Sequence, residues 1–406
     1  MITARAFAGR KYAVLGLARS GRATVKALAA SNAEVVAWDE KAEARIGLES
    51  ERVSLNPLME LDLTGFAGVV VSPGVPINRH PIAAHAAAHN VPLIGDIELF
   101  AQARPELPPH KVVGITGTNG KSTTTALVHH ILKAAGVPTA MGGNIGLPIL
   151  AQDPLPEGGV YVLELSSYQI DLTYSLDCDV AVLLNITPDH LDRYASFEAY
   201  AASKMRLFEM QSDGRAITAA PGQELLGQEG WPALQGPHNA QNATSAIEVT
   251  QALGIAHRTI KLALQSFPGL PHRMERVRER EGVLFVNDSK ATNPESAAPA
   301  LAAYPDVHWI LGGLAKTGSL GPCEDHLPHV RGAYTIGEAG PMFARLLEGR
   351  VPVTQSQVLE RAVSDAAGAA KPGEVELLSP ACASFDQFRD FEARGDAFRA
   401  AVEALP

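Results

Sequence analysis

Short runs rich in valine, isoleucine and leucine recur along the chain, each followed by a turn and then by an alanine-rich stretch of helical period. A continuous apolar run of about four to eight residues fits a strand buried on both faces, and its alternation with helices predicts parallel sheets covered by helices. The first such stretch has strands over Tyr12–Leu15, Glu34–Trp38 and Gly68–Val71, with a helix from the turn Gly16–Gly21 to near Ala30. A helical stretch after Pro81 leads to Val91–Ile94, and the segment 95–110, with Pro105, Pro108 and Pro109, reads as a linker. The second stretch has strands over Val112–Thr116, Val160–Leu165 and Val180–Asn185. The third opens near Pro271, has strands over Val283–Val286, Val307–Gly312, Ala333–Ile336 and Val375–Leu378, and closes with an amphipathic helix to Ala404. The expectation is an α/β chain of three domains, over 1–98, 99–269 and 270–406.

Composition removes several function classes. With 34 Lys and Arg against 44 Asp and Glu, the formal charge of −10 argues against a general affinity for nucleic acid or anionic membrane. Charged or turn residues punctuate every apolar run, so no stretch approaches the roughly 18 apolar residues of a membrane span. Lys11, Arg19 and Arg22 interrupt an N-terminus that superficially resembles a targeting peptide, and a strand, turn and helix explain it better. Cys178, Cys323 and Cys382 lie far apart, which argues against a disulfide framework or a cysteine zinc site and fits a reducing, cytoplasmic compartment.

The turn Gly16-Leu-Ala-Arg-Ser-Gly21 has the spacing of a dinucleotide fingerprint, with Ala18 at its middle glycine, and Asp39 ends the next strand where a ribose-binding acid would sit. Such a turn offers backbone N–H groups and a helix N-terminus to NAD or to another diphosphate alike. Glycine retained only for tight packing is the bland alternative.

Val112-Val-Gly-Ile-Thr-Gly-Thr-Asn-Gly-Lys-Ser-Thr123 is more specific: a hydrophobic strand runs into a glycine-rich turn and then a helix. Gly117, Thr118, Asn119 and Gly120 let N–H groups converge on phosphate oxygens, Lys121 supplies a point charge, and Ser122 or Thr123 can ligate Mg²⁺. Ile115 stands at the first glycine of the common phosphate-loop pattern, leaving a compact TGTNGKST variant. Glu164 ends the next strand, where a carboxylate is useful to Mg²⁺ or caps a helix. Asp189, His190 and Asp192 follow the third. By default Lys204 is a surface lysine, and His85 and His89 form a solvated helix face.

TGTNGKST, GGNIG, ELSSYQ, NITPDHLDRY, GPHNAQN, LPHRME, NDSKATNPES and LSPACASFDQFRDFEARG occur in that order, and together they resemble the Mur ligases of peptidoglycan synthesis, in particular the D-glutamate-adding members. The resemblance spans Gly16 to Gly395. It implies a Rossmann-like N-terminal domain that binds a UDP substrate, a central P-loop ATPase-type sheet and a C-terminal Rossmann-like domain for the amino acid. The implied substrates are UDP-N-acetylmuramoyl-L-alanine, D-glutamate and ATP with two Mg²⁺ ions, handled by a cytoplasmic monomer.

Position by position, the resemblance gives Lys121 to the ATP phosphates, Ser122 and Glu164 to Mg²⁺, and His190 to a second Mg²⁺. Lys204 matches a lysine that the family carbamylates, and Asn144 a residue near the reacting carboxylate. Asn242, Arg273 and Asp288 match residues that hold adenine, phosphate and ribose. Lys290, Thr292, Lys316, Ser384 and Phe391 sit where the family frames D-glutamate, and Ser20, Asp39, Ser72 and Gly74 match the uridine-nucleotide side. Two departures stand out: a region between Met210 and Gly236 too short for the usual peripheral strands, and Arg19 in the nucleotide turn, facing either diphosphate or solvent.

The implied reaction needs a carboxylate to attack the γ-phosphate, and a carboxylate is already ionised at neutral pH. The amine that follows must lose a proton, and His190 is one candidate to take it. With catalytic groups in two domains, closure about a hinge near Phe267–Pro271 is expected. A nicotinamide dehydrogenase would leave TGTNGKST without purpose, a catalytically dead UDP-nucleotide sensor would leave Lys121, Glu164, His190 and Lys204 unexplained, and the DNPR sequence of the diaminopimelate-adding relatives is absent.

Overall fold

The computed structural model describes residues 1–189, 193–212, 215–219 and 227–406. The chain divides into two compact units, Met1–Ala220 with Thr244–Ala263, and Pro221–Ala243 with Leu264–Pro406.

The first unit holds two parallel sheets. One comprises β1 (Lys11–Leu15), β2 (Glu34–Trp38), β3 (Val53–Leu55), β4 (Gly68–Val71) and β5 (Leu93–Ile94) in the order β3-β2-β1-β4-β5. The chain leaves β1 toward one side of the sheet and later returns to the other, which opens a crevice beyond the carboxyl ends of β1 and β4. The second comprises β6 (His110–Thr116), β7 (Thr139–Gly143), β8 (Gly159–Glu164), β9 (Val180–Leu183) and β10 (Arg215–Thr218) in the order β10-β9-β6-β8-β7. Here β6 lies between β8 and β9, so the loops leaving these three strands emerge side by side.

The segment expected to be a linker is instead the helix Asp96–Ala103, with seven of its eight residues buried. Ile97, Leu99 and Phe100 belong to a core cluster that also takes in Tyr12 and Val14 of β1 and Tyr161 and Leu163 of β8. Glu98 is buried with its charge spent: its carboxylate accepts from Tyr174 N at 2.7 Å and from Ser175 N and Oγ at 2.9 and 2.8 Å. The prolines follow the helix rather than break it. His85 and His89, expected in solvent, are half-buried, with His85 on the Leu61 carbonyl at 2.9 Å and His89 3.5 Å from Asp62.

The second unit carries one six-stranded sheet of β11 (Glu275–Arg280), β12 (Val283–Asn287), β13 (Val307–Gly312), β14 (Val330–Ile336), β15 (Val353–Gln357) and β16 (Val375–Leu378), in the order β11-β12-β16-β13-β14-β15. Only β11 runs antiparallel, an edge strand whose sequence ERVRER has no apolar run to announce it. The loops leaving β12, β16 and β13 are again neighbours. Among the described residues no helix is long and apolar enough to cross a membrane.

Candidate active site

The phosphate-loop segment leaves β6 at Thr116 and enters the helix Lys121–Ala134. The loop leaving β9 braces it: Thr118 N donates to the Asn185 carbonyl at 2.8 Å, Asn119 N to Asn185 Oδ1 at 2.9 Å, and Asn185 Nδ2 returns to the Asn119 carbonyl at 3.1 Å. Lys121 folds back over the loop, its Nζ 2.9 Å from the Gly117 carbonyl and 2.8 Å from that of Thr118. Ser122 is buried directly behind it.

Lys204 is not on the surface. It is 2% exposed on the helix Phe197–Glu209, and its Nζ donates to the same Gly117 carbonyl at 2.8 Å. One turn earlier, Tyr200 places its ring 4.7 Å from that nitrogen and its hydroxyl 3.1 Å from Thr118 Oγ1. Burial, and then the neighbouring Lys121 charge, push the Lys204 amine down to about 7 against the pull of Asp189, Asp171 and Glu164.

Glu164 is 2% exposed at the end of β8. Its Oε1 accepts from Asn144 Nδ2 at 2.9 Å, whereas Oε2 is buried with no hydrogen-bond partner among the described residues. A buried carboxylate oxygen left open in this way is costly unless a cation takes it. Gly143 has φ 88°, and a Cβ there would stand 2.1 Å from the Glu164 carbonyl, so only glycine brings Asn144 this close to the acid. His190 and Asp192 lie outside the described residues.

At the end of β2, Asp39 reaches the glycine turn through Oδ2, accepting from Leu17 N at 2.7 Å, while Oδ1 accepts from Lys41 N in its own loop at 2.9 Å. Ser72 Oγ donates to the Gly16 carbonyl at 2.7 Å. Ser20 sits half-buried in the first turn of the helix Arg19–Ala30, and Gly74 is exposed. Arg19 Nη2 donates to the Gly146 carbonyl at 2.9 Å, tying this turn to the glycine-rich loop that carries Asn144.

In the second unit the predicted residues gather beyond β12, β13 and β16. Asp288 is buried, accepting from Met274 N at 3.2 Å and Ser379 Oγ at 2.8 Å, and burial pushes its carboxyl up to about 7. Lys290 holds its ammonium 3.8 Å from the centre of the Phe391 ring, a cation–π contact. Thr292 and Lys316 lie on the loops after β12 and β13, and Ser384 is buried after β16. Arg273 precedes β11, and Asn242 is buried on the helix Pro237–Ala252, its Nδ2 3.0 Å from Asn239 Oδ1. Sequence reasoning passed over Arg394, which is 1% exposed and donates to Ser289 Oγ at 3.0 Å, Ser289 O at 2.9 Å and Cys382 O at 3.0 Å. The joint presence of NDSKATN and LSPACAS was the available signal for a residue that binds both.

Residues 115–227 match the Mur ligase middle domain, and residues 272–382 match the Mur ligase glutamate ligase domain. The UDP-N-acetylmuramoylalanine–D-glutamate ligase of Novosphingobium aromaticivorans is 63% identical, covering 100% of this chain and 97% of its own length. The chain belongs to the Mur ligase family. The ligase of the same name from Sphingopyxis alaskensis is 59% identical over the full length of both chains. Among solved structures, the MurF ligase of Thermotoga maritima in complex with ADP covers 97% of this chain and 96% of its own at 17% identity, with a TM-score of 0.59. At that identity the likeness is one of fold, and it identifies the parallel α/β sheets as those of the Mur ligases.

Proposed function

We infer that this chain joins D-glutamate to UDP-N-acetylmuramoyl-L-alanine, splitting ATP to ADP and phosphate, in the synthesis of peptidoglycan precursors. The observation that carries this reading is the end-to-end match, at 57–63% identity, to proteins named as that ligase. Residues 1–98 are assigned to the UDP substrate as a Rossmann-like domain, 99–269 to ATP as a P-loop domain, and 270–406 to the amino acid. Asp39 and Ser72 then act through the glycine turn that they hold in shape, Asn242, Arg273 and Asp288 hold adenine, phosphate and ribose, and Lys290, Thr292, Lys316, Ser384 and Phe391 frame D-glutamate.

The donor set fits Mg²⁺. Ser122, Glu164 with its open Oε2 and a carbamylated Lys204 offer hard oxygen ligands and His190 a borderline nitrogen, and these residues would hold the ions, whose charge would screen the repulsion between ATP and the incoming carboxylate. The uncharged amine of Lys204 adds to carbon dioxide, forming an N–C bond and releasing one proton, which turns a cation into an oxygen ligand. The alanyl carboxylate, oriented beside Asn144, attacks the γ-phosphorus as the bond to ADP breaks, with Lys121 neutralising the transferring phosphoryl group. The D-glutamate amine then attacks the acyl carbon of the acyl phosphate, the C–N bond forms, and phosphate leaves as the amine gives up a proton.

Phosphate release from ATP with UDP-N-acetylmuramoyl-L-alanine, comparing D-glutamate with L-glutamate, lysine and diaminopimelate, tests this reading. Turnover that requires D-glutamate is expected. Turnover with another acceptor alone overturns the assignments around Lys316 and Ser384, and none with any acceptor overturns the ligase reading.

A further inference from the structure

Val75, on the loop after β4, lies over the glycine turn of the first sheet: a Cβ on Gly16 would stand 3.0 Å from its Cγ2. Its carbonyl is claimed from the other sheet. Arg193, on the stretch between β9 and the helix Phe197–Glu209, donates to it through Nη2 at 3.1 Å. The same guanidinium lies 4.0 Å from the centre of the Tyr168 ring, in the first turn of the helix Ser167–Asp171 that follows β8. A planar guanidinium rests its face on an aromatic ring and aims an edge N–H at a carbonyl, a combination that the compact charge of a lysine does not offer in the same geometry. Rings continue the path. Tyr168 stacks on Tyr194 with centroids 6.2 Å apart and planes at 19°, and Tyr194 meets Tyr200 at 5.4 Å. Asp171 Oδ2 at 2.7 Å and Ser203 Oγ at 3.2 Å hold the Tyr194 hydroxyl, which fixes the middle ring. Tyr200 ends the path on Thr118 Oγ1 and beside Lys204. One arginine and three tyrosines thus run from the glycine turn to the phosphate loop.

We propose that Arg193 is a positioning residue: resting on Tyr168, it holds the Val75 loop at a fixed distance from the phosphate loop. The inference rests on the ligase reading above, with the glycine turn as the anchor of the UDP substrate. Such a substrate delivers its carboxylate to the phosphate loop over a span set by its covalent length. Each end is secured by bonds of its own, since Asp39 and Ser72 hold the glycine turn and Asn185 holds the phosphate loop. Removing Arg193 leaves both half-sites intact and loosens their spacing, and an error of about an ångström in the approach of reacting atoms is costly. The consequence is a loss of kcat with the whole substrate, and not of affinity for a ligand that touches one sheet.

The test uses the full chain with Arg193→Met, Arg193→Lys and Tyr168→Leu. R193M is expected to lower kcat by about tenfold or more, while the Kd values of UDP and of ADP, measured separately by calorimetry, stay within about twofold. R193K keeps the charge without the planar edge and is expected to be nearly as poor. Y168L removes the ring on which Arg193 rests, so it should reproduce the loss, and the double variant R193M/Y168L should be little worse than either alone. An unchanged kcat in R193M, a parallel loss of UDP affinity, full recovery in R193K, or losses that multiply in the double variant overturn the proposal. Hydrogen exchange on the unliganded chain supplies an arm independent of turnover. In R193M and Y168L alike, amides of residues 75–80 and 168–172 are expected to lose protection together, and a Y168L in which residues 75–80 keep wild-type protection overturns the coupling. No wild-type turnover with any acceptor is the failure of the ligase reading, and exchange then decides the proposal alone. Y168L carries both arms should R193M fail to fold.

Discussion

Lys121 and Lys204 donate to one carbonyl, that of Gly117, at 2.9 and 2.8 Å. Burial is the larger penalty on the Lys204 ammonium and the neighbouring Lys121 charge adds to it, leaving its amine at about 7 rather than in the usual lysine range. The uncharged form needed to capture carbon dioxide is thus abundant at neutral pH. A carbamate resonance in ¹³C-bicarbonate is expected to grow as pH rises through 7 and to vanish in K204A, and its absence at pH 8 would sink the carbamylation step. Because the folded value lies below the unfolded one, the Lys204 contribution to stability grows from about pH 7 to about pH 10 and is lost as pH falls through 7. K204M should flatten that part of a pH-dependent melting series.

The glycine turn can be tested at one position. A Cβ on Gly21 would stand 1.9 Å from the Gly16 carbonyl and 2.8 Å from Ser72 Oγ. The first contact is with backbone, which has nowhere to go. Gly21→Ala is expected to raise KM for the UDP substrate by about tenfold or more while KM for ATP holds. Equal changes in both would assign the turn a general structural role.

The open oxygen of Glu164 invites another substitution. Glu164→Gln keeps an acceptor for Asn144 Nδ2 but removes the charge next to the phosphate loop. A drop in kcat on the order of 100-fold is expected, with a higher Mg²⁺ requirement and a melting temperature that does not fall in the absence of Mg²⁺. A variant with wild-type Mg²⁺ dependence would remove Glu164 from the ligand set.

What the sequence disclosed follows from where burial is decided. Val307–Gly312 and Val375–Leu378 are legible to the residue because both faces of those strands are covered, leaving runs that are apolar but for His308 and Glu376. The edge strand Glu275–Arg280 has a single apolar residue, Val277, among charged ones, so no apolar run marks it. The helix Asp96–Ala103 was hidden by Pro105, Pro108 and Pro109 just beyond it, and its burial is completed by a partner more than seventy residues away, Ser175, which donates to Glu98. Lys204 is the same case within the site, since its burial depends on Gly117 and Tyr200 and not on the residues beside it in sequence. The motif resemblance supplied the role that periodicity left open.

Glu376 lies on β16 with both carboxylate oxygens buried and unpartnered among the described residues, within a core face that includes Phe285, Tyr334 and Leu378. Burial alone raises its pKa well above the ordinary glutamate value. A raised folded value means that its contribution to stability is greatest below the unfolded pKa and declines as pH climbs toward the folded one. Glu376→Met should therefore stabilise the second unit at neutral pH by about 1–3 kcal/mol and flatten the decline that begins near the ordinary glutamate pKa. A destabilised variant would mean that the carboxyl has a partner in solution.

Arg394 tests whether the loops after β12 and β16 are held as one body. Its guanidinium binds Ser289 Oγ, Ser289 O and Cys382 O, so one side chain spans NDSK and SPAC, and burial lowers its pKa to about 10, still charged at neutral pH. Arg394→Met fills a similar volume and leaves two buried carbonyls and a hydroxyl without their donor. A loss of about 1–3 kcal/mol per orphaned group is expected, enough to lower the melting temperature visibly. Lysine keeps the charge but has no planar fork to reach both loops, so R394K should recover little of that loss. In both variants KM for D-glutamate should rise more than KM for ATP, since Lys290 lies next to Ser289 and Ser384 lies two residues beyond Cys382. Full recovery in R394K would mean that charge, and not the two-loop geometry, is what the position supplies.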